Sequence, residues 1–254
     1  MKVYDYLLDK IKKEGAVHLS LIDPENQSPE KAGEIAALVE KAGSDAIMVG
    51  GSGGDRTMLD DCIQSIKANS KLPVILFPGN INDISAHADA IFFMTLLNSR
   101  SRYWLAQAQA FGAVAVKKLG LEPIPMGYIV IESGRKTSVE FYGDANSIPR
   151  NKPKIASAFA LAAEYMGMKF VYFEGGSGAK EPVPNEMISI AKKVLTIPLV
   201  VGGGIRDGNT AYEKVKAGAD MIVTGTVIED TIDVEAKVRE IVEGVKKAGK
   251  EKLL

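Results

Sequence analysis

The 254-residue sequence is poor in cysteine and histidine, with Cys62 as its one thiol and His18 and His87 as its two imidazoles. A lone thiol makes no intrachain disulfide, and one Cys with two His cannot complete a structural Cys/His zinc site. Such cysteine usage fits a reducing compartment, so a cytoplasmic location is expected. Charge of one sign is missing too: 31 basic residues face 32 acidic ones, for a formal net charge of −1. That excludes a disordered charged tail and a generally basic nucleic-acid binder, so no nucleic-acid partner is expected. No stretch reaches the ~18 apolar residues of a transmembrane segment. Residues 1–14 form a charged amphipathic stretch without the apolar centre of a signal peptide. What is abundant is core material: 46 % of the residues are of the AVILMFWYC set and 25 % are charged. At about 150 residues per domain the length allows one large domain or two small ones.

Short apolar runs rich in β-branched residues alternate with longer amphipathic segments along the whole chain, the βαβα pattern of a parallel sheet. Strands are read at 17–22, 45–49, 73–77, 89–95, 127–131, 169–173, 198–201 and 220–224. Helices are read at 28–41, 55–68, 102–117, 149–166, 185–194, 209–217 and 234–247, with a short connection at 80–88. These βα units, filling the length of one barrel, predict an α/β fold of the (β/α)8 TIM-barrel class, a single domain over residues 1–254. An open doubly wound sheet is the alternative. The halves of the chain echo one another: residues 47–54 (IMVGGSGG) and 172–179 (YFEGGSGA) both close a strand with GGSG, and the same offset brings Gly79 onto Gly204. Such similarity is what a half-barrel duplication leaves, although strand-Gly-helix chemistry is common to all βα units.

In such a barrel, functional groups sit at the C-terminal ends of the strands. Two glycine-rich turns, around Gly203 and Gly204 and around Gly225 and Thr226, follow the seventh and eighth strands, where barrels hold phosphate. Either alone could be a tight turn; the pair in this order points to a phosphate site. No GxGxxG opens the first βα unit, which disfavours a dinucleotide fold. Glu174 ends the sixth strand and is followed by Gly175, Gly176, Ser177 and Gly178, which suits a carboxylate that takes a hydrogen bond from a substrate hydroxyl. A solvated loop residue or helix cap is the bland reading. Tyr172 and Phe173 alternate before it, so one is expected to face the barrel and the other the helices. Asp23 and Ser52, at the ends of adjacent strands, could form a sparse oxygen site for Mg²⁺, or Asp23 could be a turn former before Pro24. His18, His87, Tyr103, Trp104 and Cys62 are assigned no role.

The segments HLSLIDP (18–24), GGSGG (50–54), YFEGGSGAKEPVP (172–184), VVGGGIRDG (200–208) and GTVIE (225–229) together resemble the geranylgeranylglyceryl phosphate synthase family, which includes bacterial heptaprenylglyceryl phosphate synthases. The resemblance runs over residues 5–243. It implies transfer of a geranylgeranyl group from geranylgeranyl diphosphate to the C3 hydroxyl of sn-glycerol 1-phosphate, the first ether bond of archaeal membrane lipids, with Mg²⁺ as cofactor. By motif correspondence Tyr172, Phe173, Glu174, Gly175, Gly176, Ser177 and Gly178 would hold the glycerol. Gly203, Gly204, Gly225 and Thr226 would hold its phosphate, and Asp23 and Ser52 the metal. Glu174 and Tyr172 would be the catalytic pair, and by analogy the protein would be a homo-oligomer. A long apolar tail needs a groove, for which Phe77, Pro78 and residues 92–97 are candidates, with a core or interface role as the alternative. Competing readings are a longer prenyl donor, a sugar-phosphate isomerase with Asp23 and Glu132 as its acid/base pair, and a catalytically silent phosphate-binding scaffold.

Overall fold

The computed structural model describes residues 1–51, 58–229 and 231–254. Eight parallel strands close into a barrel in chain order: β1 (Val17–Ile22), β2 (Ala46–Val49), β3 (Val74–Leu76), β4 (Ala90–Leu96), β5 (Glu122–Val130), β6 (Phe170–Glu174), β7 (Leu199–Gly202) and β8 (Met221–Thr224). Closure is made by β8, which pairs with β1 from Val17↔Met221 to Ser20↔Thr224. The fold class read from the sequence is therefore correct, and the open sheet is excluded.

The largest difference in the strands is β5, which begins at Glu122 and so takes in Pro123 and Pro125. Proline weakens a strand reading because it cannot donate to a ladder. Here both prolines precede the first β5–β6 pair, Met126↔Phe170, while Pro125 still accepts from the Lys169 N–H at 2.8 Å. Their missing N–H groups lie along an edge that β6 has not yet reached, so the ladder loses nothing.

The helices are α1 (Val3–Glu14), α2 (Pro29–Lys41), α3 (Leu59–Asn69), a π-helical turn (Tyr103–Gln107) that runs into α4 (Ala108–Leu119), α5 (Ser138–Tyr142), α6 (Pro153–Tyr165), α7 (Asn185–Lys192), α8 (Gly208–Ala217), α9 (Thr226–Glu229) and α10 (Val234–Lys252). The helix expected from residue 149 starts at Pro153, because proline's fixed φ and absent N–H suit the first helical turn. The one expected at 102–117 is split by the π-turn. None of the described helices is long and apolar enough to cross a membrane.

Side chains alternate between two environments. Leu19, Met48, Ile75, Phe92, Met126, Phe170, Tyr172 and Val223 fill the barrel interior. Their strand neighbours, such as Ile47, Ile129, Phe173 and Val201, pack outward against the helices. The charged stretch at the N-terminus is α1, whose Val3 and Leu7 join the interior cluster. The Val3 N–H donates to Glu122 Oε2 at 2.6 Å and the Tyr6 hydroxyl to the Asp45 carbonyl at 2.9 Å, both at strand beginnings, so α1 caps the floor of the barrel. Burying a side chain such as Leu7 is worth about 1.5–3 kcal/mol.

One connection departs from the βα alternation. Between β3 and β4 no helix forms, as the short segment at 80–88 predicts. β3 ends at Leu76, level with Ile91, and β4 continues to Leu96 without a strand beside it on that edge. The wall is left open there, next to α4.

Candidate active site

The strand ends and the loops after them form the mouth of the barrel. β6 brings Tyr172 into the interior cluster, sends Phe173 outward and ends on Glu174, itself only 6 % exposed. Phe173, expected to contact substrate, is fully enclosed among helix-facing residues such as Ala160, Met187 and Val201, so its side chain is removed from the site. Gly175 is likewise withdrawn: its N–H is spent on the Gly202 carbonyl at 3.0 Å. The remaining residues converge. Tyr172, Glu174, Gly176, Ser177, Gly178, Gly203, Gly204, Gly225 and Thr226 line one cavity of about 440 Å³, counted out to the solvent at its mouth, together with Leu21, Ile205, Arg206 and others. The Gly178 N–H donates to Thr226 Oγ1 at 3.1 Å, which ties the β6 loop to the β8 loop across this cavity.

Glu174 is the charged focus of the cavity. Its Oε1 accepts the Gly176 N–H at 2.5 Å, and the buried phenols of Tyr172 and Tyr128 lie beside the carboxylate, where they favour its ionised form. Burial pushes its pKa above the ordinary glutamate value, opposed by these three groups. Both phenols are in turn raised well above the usual tyrosine range, first by burial and then by the neighbouring carboxylate. A buried carboxylate with a raised pKa has the proton affinity that a general base needs.

Glycine is required where the two loops meet. Gly203 has φ +83°, and a Cβ there would sit 2.7 Å from both Glu174 Oε1 and the Gly176 nitrogen. We expect Gly203→Ala to lower stability by about 1–2 kcal/mol from the left-handed backbone alone. It should also raise the KM for a small phosphorylated alcohol by about tenfold by crowding the base. Urea denaturation and steady-state kinetics read the two effects separately; an unchanged KM would show that the cavity beside Gly203 holds no substrate.

A second cavity opens through the gap between β3 and β4. It is a groove of about 900 Å³, counted out to the solvent at its mouth, lined by Phe77, Pro78, Ile81, Ile84, Phe92, Phe93, Met94, Leu96, Trp104, Gly112, Val116 and Tyr128 among others. The apolar strand ends singled out in the sequence are here, although Leu97 packs on the helix-facing core instead. Phe77, Tyr128 and Tyr172 pack against one another edge-on or tilted, with ring centroids 5.2–5.7 Å apart, at the boundary between groove and cavity.

Three residues escaped the sequence reading. Tyr128 lines the groove, and its buried phenol lies near enough to Glu174 for the carboxylate to raise its pKa. Its signal was its register: it pairs with Tyr172 on the adjacent strand and so faces the same way. Trp104, assigned no role, lines the groove, with its indole N–H on the Tyr142 carbonyl at 2.9 Å. Arg135, exposed on the β5 loop, lays its guanidinium against Gly178, where a Cβ would lie 2.2 Å from Nη2. His18 is a core residue as read. It is buried between the hydroxyls of Ser44 (3.0 Å) and Thr224 (2.9 Å), and burial holds its pKa down at about 3. Glu132 is exposed and faces the Arg150 backbone N–H at 3.4 Å, lining neither cavity, so it forms no pair with Asp23 and the isomerase reading loses its base.

Asp23 stands at the end of β1, its carboxylate against Gly51, where a Cβ would be 2.2 Å from Oδ2. Ser52 lies outside the described residues. No group of three or more His, Cys, Asp or Glu that could hold a metal occurs among the described residues. Among the described residues the donor chemistry is not that of a closed metal cage. A single carboxylate at the rim fits a hard ion that keeps waters and takes other ligands from a substrate phosphate, as Mg²⁺ does.

A barrel whose seventh and eighth strands end in glycine turns around a small polar cavity, beside a buried carboxylate and a long apolar groove, belongs to the phosphate-binding (β/α)8 enzymes. Within that class the chain belongs to the PcrB family, which it matches over residues 9–245. It is 53 % identical over 245 residues to the geranylgeranylglyceryl phosphate synthase of Methanothermobacter thermautotrophicus, covering 96 % of this chain and 99 % of that protein. It is 54 % identical over 249 residues to that of Thermococcus kodakarensis, covering 96 % and 98 % respectively. In structure it is similar to (S)-3-O-geranylgeranylglyceryl phosphate synthase of Thermoplasma acidophilum in complex with its substrate sn-glycerol-1-phosphate, with a TM-score of 0.94, 44 % identity and coverage of 97 % and 99 %.

Proposed function

We propose that this protein is a geranylgeranylglyceryl phosphate synthase, joining the geranylgeranyl group of geranylgeranyl diphosphate to the C3 oxygen of sn-glycerol 1-phosphate. The observation that carries the reading is the position of Glu174: it lies in the small polar cavity, and its partner Tyr128 forms the wall of the apolar groove. One compartment suits a short phosphorylated alcohol, the other a long hydrocarbon, and the base stands where they meet.

In this reading the glycerol phosphate is held by the turns at Gly203, Gly204, Gly225 and Thr226, which leave backbone amides uncovered by side chains. Its C3 hydroxyl donates to Glu174. As the bond from the allylic carbon to diphosphate breaks, a bond from the glycerol oxygen to that carbon forms, the hydroxyl proton passes to Glu174, and diphosphate leaves. The carbon develops positive charge, so the Phe77, Tyr128 and Tyr172 rings have a second use: their faces exclude water and favour a cation. Asp23 would hold Mg²⁺ at the rim, and Ser52 is assigned with it. When bound, the ion would supply charge neutralisation for the diphosphate.

Homo-oligomerisation and a cytoplasmic location complete the proposal; exposed apolar side chains on the outer faces of α4 and α5, Phe111, Phe141 and Tyr142, support self-association. The test is an assay of purified protein with sn-glycerol 1-phosphate and geranylgeranyl diphosphate, with and without Mg²⁺. A prenyl ether formed only with the metal supports the reading. Absence of any ether, with geranylgeranyl or heptaprenyl diphosphate as donor, overturns it.

A further inference from the structure

The groove contains a polar side chain that the chemistry above does not use. Gln109, in the first turn of α4, points its amide into the wall between α4 and β4. Nε2 donates to the Met94 carbonyl at 2.5 Å and to the Trp104 carbonyl at 3.1 Å. With two carbonyls facing it, this end of the amide must be the nitrogen; the reverse orientation would set Oε1 against two acceptors. Oε1 is left as a buried side-chain oxygen with no hydrogen-bond partner among the described residues. A buried acceptor without a donor is costly, and an apolar side chain of the same length would avoid that cost.

Both carbonyls that Gln109 serves come from irregularities of the backbone. Met94 lies on the stretch of β4 that runs past the end of β3. Trp104 belongs to the π-turn, in which the Ala108 N–H reaches back to the Tyr103 carbonyl in place of the usual helical partner. A π-turn shifts the register of a helix by one residue and often marks a functional position. Here the shifted residues are Tyr103, whose hydroxyl holds Asn80 Oδ1 at 2.6 Å, and Trp104, which lines the groove. The Gln109 amide thus fastens the turn that presents Trp104 to the open strand that forms the opposite wall.

We propose that Gln109 is a positioning residue for the prenyl donor, whose amide clamps the Trp104 turn to β4 and thereby sets the groove width that selects among prenyl chain lengths. The inference rests on the reading of the groove as the prenyl site. Trp104 is the only tryptophan in the chain, so its emission reports the clamp without any substrate.

The experiment compares wild type with Gln109→Met, which keeps length and helix propensity but has no donors, and with Gln109→Glu, which keeps shape but loses the amide N–H groups. Tryptophan emission is recorded without substrate, and kcat and KM are measured with farnesyl, geranylgeranyl and geranylfarnesyl diphosphates. Both variants should shift the Trp104 emission maximum and raise its quenching by acrylamide. Turnover of geranylgeranyl diphosphate should fall about tenfold in kcat/KM through KM, and the preference over the other two donors should narrow by about fivefold. The KM for sn-glycerol 1-phosphate should stay within about twofold, since its cavity is separate. Unchanged emission, or an unchanged ranking of the donors despite altered emission, overturns the proposal. If wild type turns over no prenyl diphosphate at all, it is the groove assignment that fails, and the emission result still decides whether Gln109 holds Trp104.

Discussion

Glu174→Gln should lower kcat by about 10²- to 10⁴-fold, the span over which a positioned base contributes, while making the folded protein more resistant to heat at neutral pH. The two effects have one cause. Glu174 is buried, and burial holds its pKa above the ordinary value against the three groups around it. The unfolded chain keeps an ordinary glutamate, near 4.3. Stability contributed by the neutral form is therefore complete below that ordinary value and is lost as pH rises through the raised one. Above the raised value the folded protein carries a buried carboxylate whose cost a glutamine does not share, and below the ordinary value both side chains are neutral. The variant should melt above wild type at pH 8 and together with it at pH 4, with sn-glycerol 1-phosphate still bound. Thermal melts at the two pH values beside single-turnover kinetics check both halves. A loss of turnover below about threefold would remove Glu174 as the base, since it falls far short of general-base effects. Equal melting at both pH values would show that desolvation does not dominate at this carboxylate.

Much of this site could be read before any coordinates, and the residues that could not be read share a reason. Strand order, the two glycine turns and the carboxylate that ends β6 were legible because parallel strands buried on both faces are continuous apolar runs, and because glycine clusters mark the turns after them. Phe173 was misplaced because a motif is contiguous whereas a strand alternates; the side chain next to Tyr172 necessarily leaves the barrel. Tyr128 was missed for the converse reason. It comes from a strand with no motif of its own, and only the pairing with Tyr172 brings it to the carboxylate. Trp104 and Gln109 depend on a π-turn, which has no periodic signature in sequence. The floor helix, α1, read as a charged stretch because its apolar side is narrow, and what makes it structural is the open barrel end that Val3 and Leu7 fill. Asp23 was legible as a carboxylate at the end of β1, and Ser52 lies outside the described residues.

The apolar groove exists because the β3–β4 connection has no helix, and that connection approaches α4 within the groove. Gly112 faces Ile84 there: a Cβ on Gly112 would meet only Ile84 Cδ1, at an ordinary 3.5 Å. Alanine fits without strain, and removing a glycine from a helix interior stabilises by about 1 kcal/mol, so Gly112→Ala should melt ~2–4 °C higher. It should keep its turnover, because one methyl narrows the groove little. Leucine adds a branched side chain to the same gap. Gly112→Leu should lower kcat/KM for geranylgeranyl diphosphate on the order of 100-fold, the effect of a reacting carbon displaced by about 1 Å. Geranyl diphosphate, half as long, should be spared in the same variant, because its tail ends before the obstruction, and the KM for sn-glycerol 1-phosphate should not move. The contrast between the two donors is the measurement that matters, since a protein damaged by leucine would lose both. No loss on either donor, in a variant that melts as wild type does, would mean that the tail does not run between Ile84 and α4, and the hydrocarbon would then have to leave the barrel mouth by another route.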